Sequence, residues 1–193
     1  MNLVIVDYKA GNVQSVQFAL ERLGVQATLS SDAETIKAAD KVIFPGVGQA
    51  ASAMAQLKAR NLDKLLPTLE QPFFGVCLGM QLLCTHSEEG DTDLLNIIPL
   101  PVQHFETDLK VPHMGWNQLE NLQSPLFEGI NEKEYVYYVH SYYVPLSEYT
   151  IAQSNYPEPF SAALQYKNFY AAQFHPEKSG AAGSQILNNF LAL

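Results

Sequence analysis

Apolar positions in the first half of the chain follow two alternating rhythms. Two short runs read as strands: LVIVD at 3–7 has a buried-strand pattern, and KVIFPGVG at 41–48 starts as a strand and breaks into a Pro/Gly turn. Between them Val13, Val16, Leu20 and Leu23 recur every three or four residues, marking one face of a helix that Gly24 should stop. VQATLS at 25–30 reads as the next strand, and QAASAMAQLKAR at 49–60 as a helix of mostly small residues. LDKLLPTLE at 62–70 also has a helical period, but Pro67 inside it lacks an N–H and predicts a kink or a split. FFGVC at 73–77 is the strand that follows.

Strands alternating with helices predict an α/β fold, a doubly wound sandwich with a mainly parallel central sheet and helices on both faces. Such sheets bind ligands outside the carboxyl ends of their strands, the edge where PGVG (45–48) and GVCLG (75–79) fall. From about residue 97 the rhythm becomes aromatic-rich and alternating: PVQHF at 101–105, YVYYVHSYYV at 135–144, IAQSN at 151–155 and FSAALQY at 160–166. These runs predict an additional antiparallel region beside the parallel core. FYAAQFH at 169–175 is the last core strand, and Ile186, Leu187, Phe190 and Leu191 form the stripe of a closing helix. No repeat, linker or low-complexity stretch interrupts the pattern, so residues 1–193 are expected to form a single domain.

Composition narrows the chemistry. A 47% hydrophobic, 16% charged chain is globular rather than disordered. Eleven Lys and Arg against twenty Asp and Glu leave a net charge of −9, with no basic cluster to attract a nucleic acid. The first apolar run is too short for a signal-peptide core and no later window suits a membrane span, so a soluble, cytoplasmic protein is expected. Cys77 and Cys84 lie seven residues apart. On a helix that spacing rises about 10 Å, too far for a disulfide, which needs Cα atoms within about 7 Å.

FFGVCLGMQLL at 73–83 places Cys77 between a strand and a helix, with Gly75 and Gly79 on either side. Glycine there allows positive φ or close backbone approach, the logic of a nucleophile elbow with Cys in place of Ser. A helix start favours thiolate, and its free N–H groups, beginning with Leu78, can hold an oxyanion. A lone free cysteine is otherwise a small core hydrophobe, the reading that suits Cys84 on the helix body. The nucleophile needs a histidine and the histidine an orienting acceptor. Of His86, His104, His113, His140 and His175, only His175 ends a core strand with a carboxylate at fixed short range, Glu177 across Pro176. No Cys/His spacing suits zinc, so no metal is expected. PGVG is weak evidence alone and lacks the residues of a phosphate loop, but its N–H groups can complete an oxyanion hole.

With PGVG, GVCLGMQLL and FHPEKSG spread over most of its length, the chain resembles the class I (triad) glutamine amidotransferases, in which a cysteine attacks glutamine and releases ammonia. The resemblance implies a flavodoxin-like sandwich without a cofactor. It assigns Cys77 as nucleophile, His175 as general acid/base and Glu177 as its orienter. It further implies oxyanion donors at Leu78 and at Val47 or Gly48, with Gln81, Ser141 and Tyr142 holding glutamine. PHMGWN (112–117) and YVYYVHSYY (135–143) narrow the likeness to glutaminase subunits of histidine biosynthesis, whose partner is a (β/α)8-barrel cyclase subunit in a heterodimer. PHMGWN would contact that partner or shape the entry. Two readings compete: a glutaminase subunit serving a different synthase, and a catalytically idle docking subunit.

Overall fold

The computed structural model describes residues 1–9 and 12–193. Its strands are β1 (Leu3–Val6), β2 (Ala27–Ser30), β3 (Lys41–Gly46), β4 (Phe73–Cys77), β5 (His86–Ser87), β6 (Thr92–Asp93), β7 (Pro101–His104), β8 (His113–Gln118), β9 (Tyr135–His140), β10 (Tyr142–Tyr143), β11 (Thr150–Asn155), β12 (Pro159–Tyr166) and β13 (Phe169–Ala172). The α-helices are α1 (Val13–Arg22), α2 (Ala33–Lys37), α3 (Ala50–Ala59), α4 (Leu62–Leu65), α5 (Leu78–Leu82) and α6 (Gly180–Ala192).

Seven strands make one sheet in the order β11-β12-β13-β4-β3-β1-β2. Neighbours from β13 to β2 are parallel, while β12 and β11 extend the edge antiparallel. Successive strand residues point to opposite faces, so a sheet covered on both sides needs the unbroken apolar runs seen in β1, β3 and β4. Val4, Val42, Phe44 and Phe73 pack on one side with Met54, Leu57 and Met80; Leu3, Ile5, Ile43 and Phe74 pack on the other with Leu20, Ile186 and Phe190. A smaller sheet, β10-β7-β5-β6, and the antiparallel β8–β9 pair flank the main one.

Several boundaries move from where the pattern placed them. Pro67 does split its segment, α4 giving way to a 3-10 turn over Leu66–Thr68. VQATLS pairs only from Ala27. YVYYVHSYYV is not one strand: it breaks at Ser141, β9 pairing with β8 and β10 with β7 in another sheet. Alternation fixes which face a residue takes and carries no information about its partner strand. FYAAQFH also stops pairing early, at Ala172, and His175 stands beyond the strand, its N–H bonded to the Tyr137 carbonyl at 2.9 Å. The short β5, β6 and α2 have no counterpart in the apolar pattern, being too brief to show a period.

The register fixes the functional edge. Gly46 stands opposite Cys77 across β3 and β4, and Val76 opposite Ala172 across β4 and β13, so the three strands end together. The first turn of α5 lies directly on β3: a Cβ on Gly79 would sit 2.0 Å from the Phe44 carbonyl oxygen, and one on Gly46 2.5 Å from the Gly79 nitrogen. Backbone meets backbone there, with no flexible side chain to give way. Gly79→Ala should therefore cost about 2 kcal/mol or more of stability, read by denaturant unfolding, and an unchanged midpoint would contradict the contact.

Candidate active site

Cys77 adopts φ +54° and ψ −112°, a conformation that non-glycine residues rarely bear. Of the two roles open to the flanking glycines, the structure uses close approach. A Cβ on Gly75 would lie 2.9 Å from the Gly79 carbonyl oxygen, and the positive φ falls on the cysteine itself. The sharp turn lifts the thiol out of β4 at the strand's carboxyl end. Helix α5 has only five residues, shorter than its apolar pattern suggests, so its dipole is small. What it offers is the free N–H groups of a first turn, beginning with Leu78.

His175 lies beside this elbow with 2% of its side chain exposed, and the Glu177 side chain is buried to the same degree. Pro176 opens a 3-10 turn over Pro176–Lys178 that folds Glu177 back, bringing its Oε1 within 2.8 Å of His175 Nδ1. The other ring nitrogen, Nε2, is buried and makes no hydrogen bond, nor does Glu177 Oε2. Burial, the largest influence, disfavours the charged ring, but Cys77 and Glu177 together outweigh it and raise the imidazole to about 10. A carboxylate thus holds one nitrogen while the other faces the thiol side, an arrangement suited to moving a proton to and from Cys77.

A cavity of about 310 Å³ opens at this point. Cys77, His175, Val47, Gly48, Leu78, Gln81, Ser141 and Tyr142 all border it, so every residue expected from the sequence converges there except Glu177, which stands behind His175. Gly48 holds φ +104° in the turn after β3. Gln81 is 5% exposed, and its amide nitrogen donates to the Tyr142 carbonyl and to Gln173 Oε1, each at 2.9 Å.

Three residues at the site escaped the sequence reading. Gln173 is fully buried, with its Nε2 3.9 Å from the Cys77 sulfur; it lay inside an apparent strand, where its polarity read as a neutral alternation. Glu89 borders the cavity while its Oε2 accepts from the Ala50 N–H at 2.7 Å, placing a carboxylate where an ammonium group can be met. It sits in a loop with no period to single it out from Glu88. His140 also borders the cavity; in the sequence it lies within an aromatic run, ends no core strand and has no carboxylate at fixed short range. Cys84 is fully buried, its sulfur 3.8 Å from the Met80 carbonyl and its thiol pushed up by burial, in keeping with a packing role.

The sequence pattern of the glutamine amidotransferase class-I family matches residues 4–193. The chain belongs to the class-I glutamine amidotransferases. It is 55% identical to the imidazole glycerol phosphate synthase subunit HisH of Bacteroides thetaiotaomicron, over 100% of both chains, and 49% identical to that of Idiomarina loihiensis, over 100% of this chain and 98% of the relative. At that likeness it falls within the HisH family of subunits. Among solved structures, a putative GMP synthase subunit from Thermoplasma acidophilum superposes with a TM-score of 0.78 at 19% identity, over 100% of this chain and 92% of that one. PurLQS from Thermotoga maritima gives 0.73 at 15%, over 99% and 97%. These two establish the shared fold. Among the described residues no helix is long and apolar enough to cross a membrane.

The raised imidazole has a consequence for stability. A ring at 6.5 when unfolded and about 10 when folded contributes stability fully present below pH 6.5 and lost as the pH rises through 10. Urea unfolding across that window should show a decline that His175→Gln reduces, and parallel profiles for the two proteins would contradict the pairing.

Proposed function

We propose that the protein is the glutaminase subunit of an imidazole glycerol phosphate synthase, formed as one glutamine amidotransferase domain with Cys77, His175 and Glu177 as its triad. The observation that carries the reading is the convergence of a strained cysteine, a buried histidine and its carboxylate at one cavity, in a chain 55% identical end to end to a HisH subunit.

Glutamine enters with its side-chain amide at Cys77. Glu89 offers a carboxylate to its α-ammonium group, while Gln81, Ser141 and Tyr142 border the remainder. With the imidazole raised, the proton of the Cys77–His175 pair resides on His175, and the sulfur attacks the amide carbon. The resulting oxyanion is met by N–H groups of Leu78 and of the Val47–Gly48 turn, an interaction worth about 3 kcal/mol per donor. His175 then protonates the departing nitrogen, ammonia leaves, and a thioester remains on Cys77. Water, deprotonated by His175, attacks that thioester through a second oxyanion, and glutamate is released. Throughout, Glu177 keeps the ring oriented and balances its charge.

Ammonia is consumed by the partner, a (β/α)8-barrel cyclase subunit that forms imidazole glycerol phosphate and aminoimidazole carboxamide ribotide in the cytoplasm. The β8–β9 pair supports a docking role: Met114, Trp116 and Tyr135 are 55%, 56% and 51% exposed, a density of large apolar groups that suits a protein interface. Cys77→Ala should abolish glutamine-dependent synthesis by the complex and leave ammonia-dependent synthesis intact. Retained glutamine use would overturn the role of Cys77, and loss of both activities would point instead to a docking subunit.

A further inference from the structure

On the buried face of the β8–β9 pair two histidines touch, and neither has a place in the proposed triad. His113 Nδ1 lies 2.9 Å from His140 Nε2, and each residue is 5% exposed. His113 and His140 face each other in the strand register. The His113 ring is clamped between Tyr156, at 4.1 Å and 13°, and Tyr138, at 4.9 Å and 25°. Phe105 meets the His140 ring edge-on at 5.2 Å. Aromatic packing of this kind could be met by phenylalanine at lower desolvation cost, so the nitrogens need a separate reason.

Their hydrogen bonds run in one direction. His140 Nδ1 is 2.8 Å from the Tyr142 carbonyl, which can only accept, so that nitrogen carries the proton. Its Nε2 is then an acceptor, and the His113 Nδ1–H fills it. His113 Nε2 is in turn left to accept, from the Asn117 amide at 3.3 Å, and that same amide donates to the Asn155 carbonyl at 3.0 Å. Burial lowers His113 to about 4 and His140 to about 3, which keeps both rings neutral and preserves this single tautomer chain.

The chain ends on the cavity wall. The Tyr142 carbonyl receives His140 on one side and Gln81 Nε2, at 2.9 Å, on the other, which occupies both of its lone pairs. The preceding carbonyl, that of Ser141, accepts the Phe105 N–H at 3.2 Å. Both peptide planes around Tyr142 are therefore pinned, and Ser141 and Tyr142 are wall residues of the proposed glutamine cavity. Gln81 continues to Gln173 and from there to the Cys77 sulfur.

We propose that His140 is a positioning residue for glutamine binding: fixed in one tautomer by His113, it holds the Tyr142 carbonyl so that the Ser141–Tyr142 backbone is set for the substrate. The inference rests on the glutaminase reading and extends it to a pair of residues that make no contact with the reacting atoms. Its effect falls on substrate affinity, because the held groups form the wall of the cavity rather than the triad.

Asparagine and glutamine at position 140 separate the possibilities. An asparagine amide nitrogen occupies roughly the place of Nδ1 and can still reach the Tyr142 carbonyl, whereas a glutamine amide occupies the place of Nε2 and cannot. Glutamine hydrolysis by the complex with the cyclase subunit is measured for both. His140→Gln should raise KM for glutamine about tenfold or more with kcat within about threefold, and His140→Asn should keep KM within about threefold. His113→Asn, which retains a donor toward His140, should likewise stay near the unaltered value, and His113→Leu should raise KM. Thermal unfolding of each variant identifies any that fails to fold, and the Asn and Gln pair, both polar and close in size, retains the comparison. Equal KM in the Asn and Gln variants, or a loss confined to kcat, would overturn the positioning role. Absence of hydrolysis in the unaltered complex would overturn the glutaminase reading and this inference together, so the two failures are distinct.

Discussion

The close passage of the first turn of α5 across the end of β3 is the constraint on which the rest of this site depends. Phe44 and Gly79 approach until no Cβ fits between them, and Gly46 and Gly75 clear the remaining backbone. With the helix start so tightly seated, the residue joining it to β4 has little choice of conformation, and Cys77 takes the strain at φ +54°. Packing free energy from two apolar layers, each built on alternate residues of the same strands, holds that strained residue in place. The placement of this thiol is thus a property of the sheet's edge and less of the cysteine's own neighbours.

Electrostatics completes what the backbone begins. A histidine this deeply buried would ordinarily lose its charge, as His113 and His140 do. His175 goes the other way because Glu177 and Cys77 flank it. Three buried imidazoles within one region of the fold therefore hold opposite protonation tendencies, and the difference follows from which of them lies between a thiol and a carboxylate, the latter at 2.8 Å.

Much of this was readable in the residues. Unbroken runs such as LVIVD and FFGVC announced a sheet with two covered faces, and the glycines around Cys77 announced an elbow, because both signals are local and steric. Glu177 was legible through Pro176, which fixes the distance to His175 without help from the rest of the fold. Less visible were Glu89, Gln173 and His140, whose places at the cavity depend on which strand ends beside which. The break at Ser141 was hidden for the same reason: YVYYVHSYYV alternates well as a single strand, and only the separate partners of β9 and β10 divide it. Local chemistry is written in the sequence at short range, while membership of a pocket is a long-range outcome.

One modest contact bears on how the site can be altered. The His175 loop leaves the sheet after Ala172 and takes its backbone partner from β9, His175 N–H bonding to the Tyr137 carbonyl while Ser179 Oγ accepts from the Tyr137 N–H and donates to the His175 carbonyl at 2.6 Å. The strand bearing Tyr137 also carries the exposed Tyr135 and pairs with the one bearing Trp116. Outer surface and imidazole are joined through a few rigid peptide bonds, with no flexible segment between them. A substitution on that outer surface that displaces the β9 backbone would therefore carry to the His175 loop through these hydrogen bonds, without touching the cavity itself.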